Sequence, residues 1–302
     1  MKRVFTLIAV LVVSLLLIAP AAASRQWIVD DDGQDCPDAD FTAIQAAVSA
    51  AAPGDHILVC EGTYHERVLI TKSDLTLHAQ GGPDDVVVDA DHLGNGITIS
   101  GASGVTVEGF TVRNGHDNDI MLVNANHNTL RRNILTAAMH DGIELFGSSD
   151  NVVEHNASID NLAANACGIN LAGGSNRNVV RHNLLQNNEW GIQISASTDN
   201  EIFHNHAAEN RGNGIRNVGG SSGTQIIGNR VFDNGHTPTP ATTGTTNSGI
   251  RLASGTGIVV ARNHAFGNLT VDIRQEAAQA TFTNNHCETS LPAGLCREDE
   301  ED

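Results

Sequence analysis

The chain has 302 residues, with 35 Asp and Glu against 17 Lys and Arg and a formal charge of −18. That acidic excess excludes a nucleic-acid binder, because phosphate recognition needs clustered positive charge. Hydrophobic residues at 40% exclude a largely disordered chain, and aromatics at only 4% require a core of Ile, Val, Leu and Ala.

Residues 1–24 read as a secretory signal peptide. Met1-Lys2-Arg3 is a basic start, Val4 to Ile18 an apolar run, and Pro20-Ala21-Ala22-Ala23-Ser24 a small-residue cleavage region. No Cys follows to take a lipid, and no later apolar stretch is long enough to span a bilayer. The expected destination is secreted or periplasmic, with no membrane span. Export permits disulfides, and the economical pairing joins Cys36 to Cys60 and Cys287 to Cys296. Cys167 is then an unpaired, packed thiol. Asp30-Asp31-Asp32-Gly33-Gln34-Asp35 offers carboxylates to calcium, although it lacks a complete loop motif. Phe41, Ile44 and Val48 share one helical face between Asp40 and Pro53-Gly54, which predicts an amphipathic helix plugging the first coil.

Beyond this helix the chain repeats itself. Gly/Asp-Ile-x-apolar begins at Gly96, Asp119, Gly142, Gly168, Gly191, Gly214, Gly249 and Asp272, at intervals of 23, 23, 26, 23, 23, 35 and 23. A second column holds Asn133, Asn156, Asn183, Asn205, Asn229, Asn263 and Asn285, each preceded at three residues by Leu130, Val153, Val180, Ile202, Ile226, Val260 or Phe282. A further Asn follows most of these at five residues: Asn161, Asn188, Asn210, Asn234 and Asn268. The units contain short alternating strands and no helical period, and they lack the Leu array of leucine-rich repeats. They predict an all-β fold, a single-stranded right-handed parallel β-helix with one unit per coil. The asparagines would be turn residues bonded from coil to coil.

The segments Trp27-Ile28-Val29-Asp30, Phe41-Thr42-Ala43-Ile44-Gln45-Ala46-Ala47, Pro53-Gly54-Asp55 and Gly62-Thr63-Tyr64-His65-Glu66 resemble the first coil of pectin-lyase-like proteins. The repeats resemble the right-handed β-helix repeat family over roughly residues 25–290. That family includes polysaccharide lyases, epimerases, glycosidases, pectin esterases and a periplasmic copper-site accessory protein. The resemblance implies a carbohydrate partner without assigning a reaction. The Asp-Asp and Gly-His-Gly elements of polygalacturonases, the Asp-Pro-His motif of alginate epimerases and the longer esterase segments are absent.

Candidate chemistry lies on the outward column between the two inward positions of Gly-Ile-x-apolar: Thr98, Met121, Glu144, Asn170, Gln193, Arg216, Arg251 and Arg274. Three successive arginines form either a stripe for a polyanionic sugar or a solvated face paired with Glu276 and Asp272. Aligned coils place His140 beside Asp117, a general base with an orienting carboxylate. Asp141 and Glu144 add acid or cation-ligand capacity, and Trp190 offers a platform for a sugar ring. The plain alternative is a hydrogen-bonded polar turn without catalysis. His155, His182 and His204 share one position before the Asn column, with His206 two residues on, and stacking is favoured over metal binding there.

The expected organisation is 1–24 signal peptide, 25–62 N-terminal strand and capping helix, 63–290 repeats and 291–302 acidic tail, with a loop inserted at 236–247. The expected product is a monomeric exported β-helix that binds or processes an extracellular polysaccharide by lyase, epimerase or glycosidase chemistry. In the lyase or epimerase case His140 is the base; in the glycosidase case Asp141 and Glu144 act. Calcium is the only cofactor suggested. The alternatives are a non-catalytic surface or periplasmic module for adhesion or assembly, and a metal-delivery accessory protein.

Overall fold

A computed structural model describes residues 23–235 and 247–297. The expected signal segment (apart from its last two residues), nearly all of the inserted loop and the Glu298–Asp302 tail lie outside them. Short strands stack in parallel into a right-handed β-helix with three sheets of 11, 10 and 10 strands. Sheet A runs from Gln26–Val29 to Ala280–Thr283, sheet B from Gly62–His65 to His286–Cys287, and sheet C from Val68–Ile70 to Ser290–Leu291. Strand pairing therefore begins before residue 63 and continues past residue 290.

Period-two alternation builds the core. Ile120 and Leu122, Ile143 and Leu145, Ile169 and Leu171, and Ile192 and Ile194 point inward from sheet C and are 0% exposed. Leu130, Val153, Val180, Ile202, Ile226 and Val260 stack the same way in sheet A, while Phe282 at the end of the column is only partly covered. Burying each such side chain contributes about 1.5–3 kcal/mol. Repetition of that term, coil after coil, replaces the aromatic core that the composition lacks.

The corners are held by amide ladders. From Asn133 to Asn285, each Nδ2 donates to the Oδ1 of the next Asn in the column at 3.0–3.1 Å. Each also donates to a backbone carbonyl of the preceding coil, as Asn183 does to Val153 O at 2.9 Å. Asn161, Asn188, Asn210, Asn234 and Asn268 form a second ladder at 2.9–3.2 Å. Asn128, Asn151, Asn178 and Asn200 make a third, which the sequence reading did not single out.

The second ladder explains the choice of Gly or Asp from Asp119 onward, whereas a Cβ at Gly96, before it, would meet Val112 Cγ1 and Asp119 O at 2.4 and 2.9 Å. A Cβ at Gly142, Gly168, Gly191, Gly214 or Gly249 would come within 2.6–3.1 Å of the side-chain amide nitrogen of Asn161, Asn188, Asn210, Asn234 or Asn268 respectively. Where that ladder stops, the space opens and an aspartate fills it. Asp272 Oδ1 accepts from the backbone N and Nδ2 of Asn268, the last rung, at 3.2 and 2.8 Å. At the other end the corresponding position is Ala138, and Asp119 Oδ1 accepts from Gly115 N at 3.1 Å. Asp119 Oδ2 has no partner, and burial pushes this carboxyl well above the usual carboxylate range.

The capping helix, α1, spans Ile44–Ala50 and buries Ile44, Ala47 and Val48. It begins three residues later than the apolar pattern suggested, because Phe41 forms a bridge to Val29 instead. Its N-terminus has no side-chain cap of its own. Glu66 supplies one from the next coil, accepting from Ile44 N and Gln45 N at 2.7 and 2.8 Å. Disulfides join Cys36 to Cys60 and Cys287 to Cys296, and Cys167 is buried and unpaired.

Candidate functional site

Sheet C brings the outward column into register: Leu69, Thr98, Met121, Glu144, Asn170, Gln193, Arg216, Arg251, Arg274 and Leu291 occupy successive rungs. At a strand spacing of about 4.8 Å the column grades from apolar through acid and amide to cationic.

His140 lies at the corner leading into strand Ile143–Phe146. Its Nδ1 meets Asp141 Oδ2 at 2.9 Å, not Asp117. Asp117 does occupy the equivalent place on the preceding coil, its carbonyl accepting from His140 N at 2.8 Å. Its carboxylate, however, is 66% exposed and lies 3.5 Å from His116. The orienting carboxylate is therefore Asp141, which is buried beside the outward column together with Asn118 and Cys167. Asp141 is 0% exposed, and its oxygens accept from Cys167 N at 2.6 Å and Asn170 Nδ2 at 2.9 Å as well as from His140. The presence of Cys167 and Trp190 in this same column was the sequence signal that it is covered.

Because ionised Asp141 can only accept, the proton of a neutral His140 sits on Nδ1 and Nε2 keeps its lone pair. The hydrogen bond to Asp141 raises the His140 pKa, and the negative charges of Asp141, Glu144 and Asp117 act in the same direction. Glu144 is raised too, first by burial and then by Asp141, while Asn118 Nδ2 donates to its Oε2 at 2.9 Å. Burial and three donors leave Asp141 unable to reach a substrate. Of the expected carboxylate pair for glycoside hydrolysis, only Glu144 is available.

Amides continue the network. Gln193 Nε2 donates to Asn170 Oδ1 at 3.0 Å, so a chain of donors runs from Gln193 through Asn170 to Asp141. The arginines then diverge. Arg251 Nε and Nη2 donate to Glu276 Oε1 and Oε2 at 3.0 Å, and Arg274 Nε donates to Ser248 Oγ at 3.3 Å. Asp272, offered as a second partner, is instead buried against Asn268 and Thr289. Arg216 lies over Trp190 with its Cζ 3.5 Å from the ring centroid. Trp190 is 8% exposed, so it is not the open sugar platform that the sequence suggested.

His155, His182 and His204 stack with ring centroids 5.0 and 5.4 Å apart. Burial, then the two neighbouring rings, lower the pKa of His182. Their parallel rings do not converge on one ion. His206 stands apart on sheet B, edge-on to Phe232. Ligand atoms of His140, Asp141 and Glu144 do converge, within 4.8 Å of one another. Asp30 belongs to another such cluster with Asp31 and Asp32. Its oxygens already accept from the backbone N–H groups of Asp32, Gly33 and Cys36, and although burial opposes ionisation, those bonds hold its pKa low.

The family model described as periplasmic copper-binding protein (NosD) matches residues 65–247. No curated protein matches the chain by sequence. Among solved structures, XylC in complex with xylose is 13% identical, with a TM-score of 0.69 over 86% of this chain and 70% of that one. Pectate lyase Pel9A is 16% identical, with a TM-score of 0.59 over 93% of this chain and 83% of that one. An alginate lyase from Paenibacillus sp. str. FPU-7 is 14% identical, with a TM-score of 0.55 over 89% and 99%. These likenesses show the fold. Among the described residues no helix is long and apolar enough to cross a membrane.

Proposed function

The chain belongs to the NosD family, and we propose that it is an exported β-helix that binds an acidic extracellular polysaccharide along sheet C and acts on it at His140. The supporting observation is the His140–Asp141 couple beside Glu144, continued on successive rungs by amides and arginines. In this reading His140 Nε2 removes the proton next to a uronate carboxyl. Glu144, whose hold on a proton is strengthened by burial and by the Asp141 charge, donates to the departing glycosidic oxygen in elimination. Re-protonation of the sugar carbon would give epimerisation instead. Asp141 positions the imidazole without touching the sugar. The folds of the pectate and alginate lyases support this chemistry by likeness. A panel of polyuronates, followed by ultraviolet absorbance of unsaturated products and by retention on immobilised glycan, tests it. No product and no retention on any member would overturn the reading.

The family description favours a second reading, a copper-handling accessory protein. One imidazole and two carboxylates suit a divalent ion such as Cu(II), and His140, Asp141 and Glu144 would hold it. Of the soft sulfurs preferred by Cu(I), the Cys167 thiol is buried against Asn165 O at 3.9 Å, and the Met121 thioether, one rung from Glu144, accepts from Asn95 Nδ2 at 3.4 Å. Copper titration of the whole chain decides: binding weaker than micromolar, or unchanged in His140→Ala, removes this reading.

A further inference from the structure

The three arginines of the sheet-C column are not equivalent. Arg251 is held by both oxygens of Glu276, and Arg274 bonds Ser248. Arg216 has no carboxylate within ion-pair distance among the described residues, and its Nε is buried without an acceptor. Its guanidinium covers the indole of Trp190 at 3.5 Å. The ring edge occupies space left by Gly212, where a Cβ would lie 2.4 Å from Cδ1 and 2.5 Å from Nε1. One rung away, Gln193 Oε1 is also buried without a donor. An uncompensated cation, a covered aromatic ring, and one unmatched donor and acceptor thus meet where the amide rungs give way to the arginines.

A cation resting on an aromatic face is attracted to it, but a guanidinium forking to an anion gains shorter, charge-assisted hydrogen bonds. We propose that Arg216 is a latch over Trp190: the anionic group of an acidic sugar draws the guanidinium off the indole and uncovers the ring as a stacking platform for that sugar. The latch rests on the reading that sheet C binds a glycan, and it gives that face its selectivity. Moving off the ring lets Arg216 Nε donate to the anion and opens Gln193 Oε1 to a sugar hydroxyl. A neutral sugar supplies nothing to replace the cation–π contact and finds the platform shut. The ligand shifts the population because it binds only the open arrangement.

The test titrates the full chain with tetragalacturonate, a sulfated tetrasaccharide and neutral xylotetraose, recording heat and indole emission together. Trp190→Phe, which retains Trp27, serves as the emission blank. Binding of tetragalacturonate, of the sulfated sugar or of both is expected, with a saturable emission change that Trp190→Phe lacks, and the two arms tell carboxylate from sulfate recognition. Arg216→Gln should weaken that binding at least tenfold and abolish the emission change. Arg216→Lys, which keeps the charge without the fork, should bind with intermediate affinity and unfold cooperatively. Heat without a Trp190-dependent emission change, Arg216→Gln binding within twofold of wild type, or equal binding of xylotetraose would overturn the latch while leaving glycan binding intact. No heat with any sugar overturns both.

Discussion

Asn183 and Gln193 are amides of the same coil in opposite circumstances. Asn183 Oδ1 accepts from the backbone N and Nδ2 of Asn156, and its Nδ2 donates to Val153 O and Asn205 Oδ1. Gln193 makes one bond, to Asn170, and leaves Oε1 unmatched. Inside the corner, the coils on either side are the only available partners, so a rung must repeat its neighbour. On sheet C, solvent or a ligand can complete the bonding, and each rung is free to differ. Uniform columns therefore mark stacking, and graded columns mark the surface where function can be built.

Substitutions in the two regimes should have opposite consequences. His140→Ala should lower any polysaccharide turnover by about 10²–10⁴-fold, the usual contribution of a general base, with an unfolding midpoint close to wild type; retained turnover would refute the assignment. The pH profile should show the same group. A raised His140 pKa makes the base available only as pH climbs above its ordinary value of 6.5, so turnover should rise there and the limb should vanish in the variant. His140 also stabilises the fold fully below 6.5 and loses that contribution as pH rises through its raised pKa. That term is small because the ring is 48% exposed.

Asn183→Leu should do the reverse, stranding several buried partners at roughly 1–3 kcal/mol each, whereas Gln193→Leu should cost under about 1 kcal/mol. Equal losses in denaturant unfolding would contradict the distinction. Smaller than the Asn183→Leu loss are those of Asp119→Gly, which leaves Gly115 N without its acceptor, and Ala138→Asn, which pushes an amide into the space of the Asp119 side chain. Each should destabilise by about 1–3 kcal/mol, and the double variant should recover much of the loss; strictly additive effects would break the pairing of these positions. Smallest is His182→Gln. The lowered pKa of His182 means that its folded form resists protonation, so stability falls as pH drops through the ordinary histidine range. The variant should unfold at slightly lower pH than wild type in an acid titration.

The repeat made most of the architecture legible, because Ile and Asn recur only where stacking demands them. The third ladder was as legible as the others, since Asn128, Asn151, Asn178 and Asn200 each stand five residues before Asn133, Asn156, Asn183 and Asn205, but no Asn precedes Asn229, Asn263 or Asn285 at that offset. At the candidate site, sequence alignment placed Asp117 next to His140 correctly along the coil axis, but it could not tell which neighbour turned its carboxylate toward the ring. Asp141 does so because Cys167 N and Asn170 fix its oxygens. Trp190 was recognised as an aromatic of the right face, while its cover came from Arg216, a residue 26 positions later whose reach no spacing rule describes.

Asp119 and Asp272 act as punctuation. Each stands where a glycine would otherwise leave room for another asparagine, and each supplies the acceptor that the missing rung would have offered. The extent of the second ladder is thus written into the chain by two glycine-to-aspartate alternations. A longer stack cannot be made by adding coils alone: the closing aspartate has to move with the end, as a stop signal moves with the end of a message.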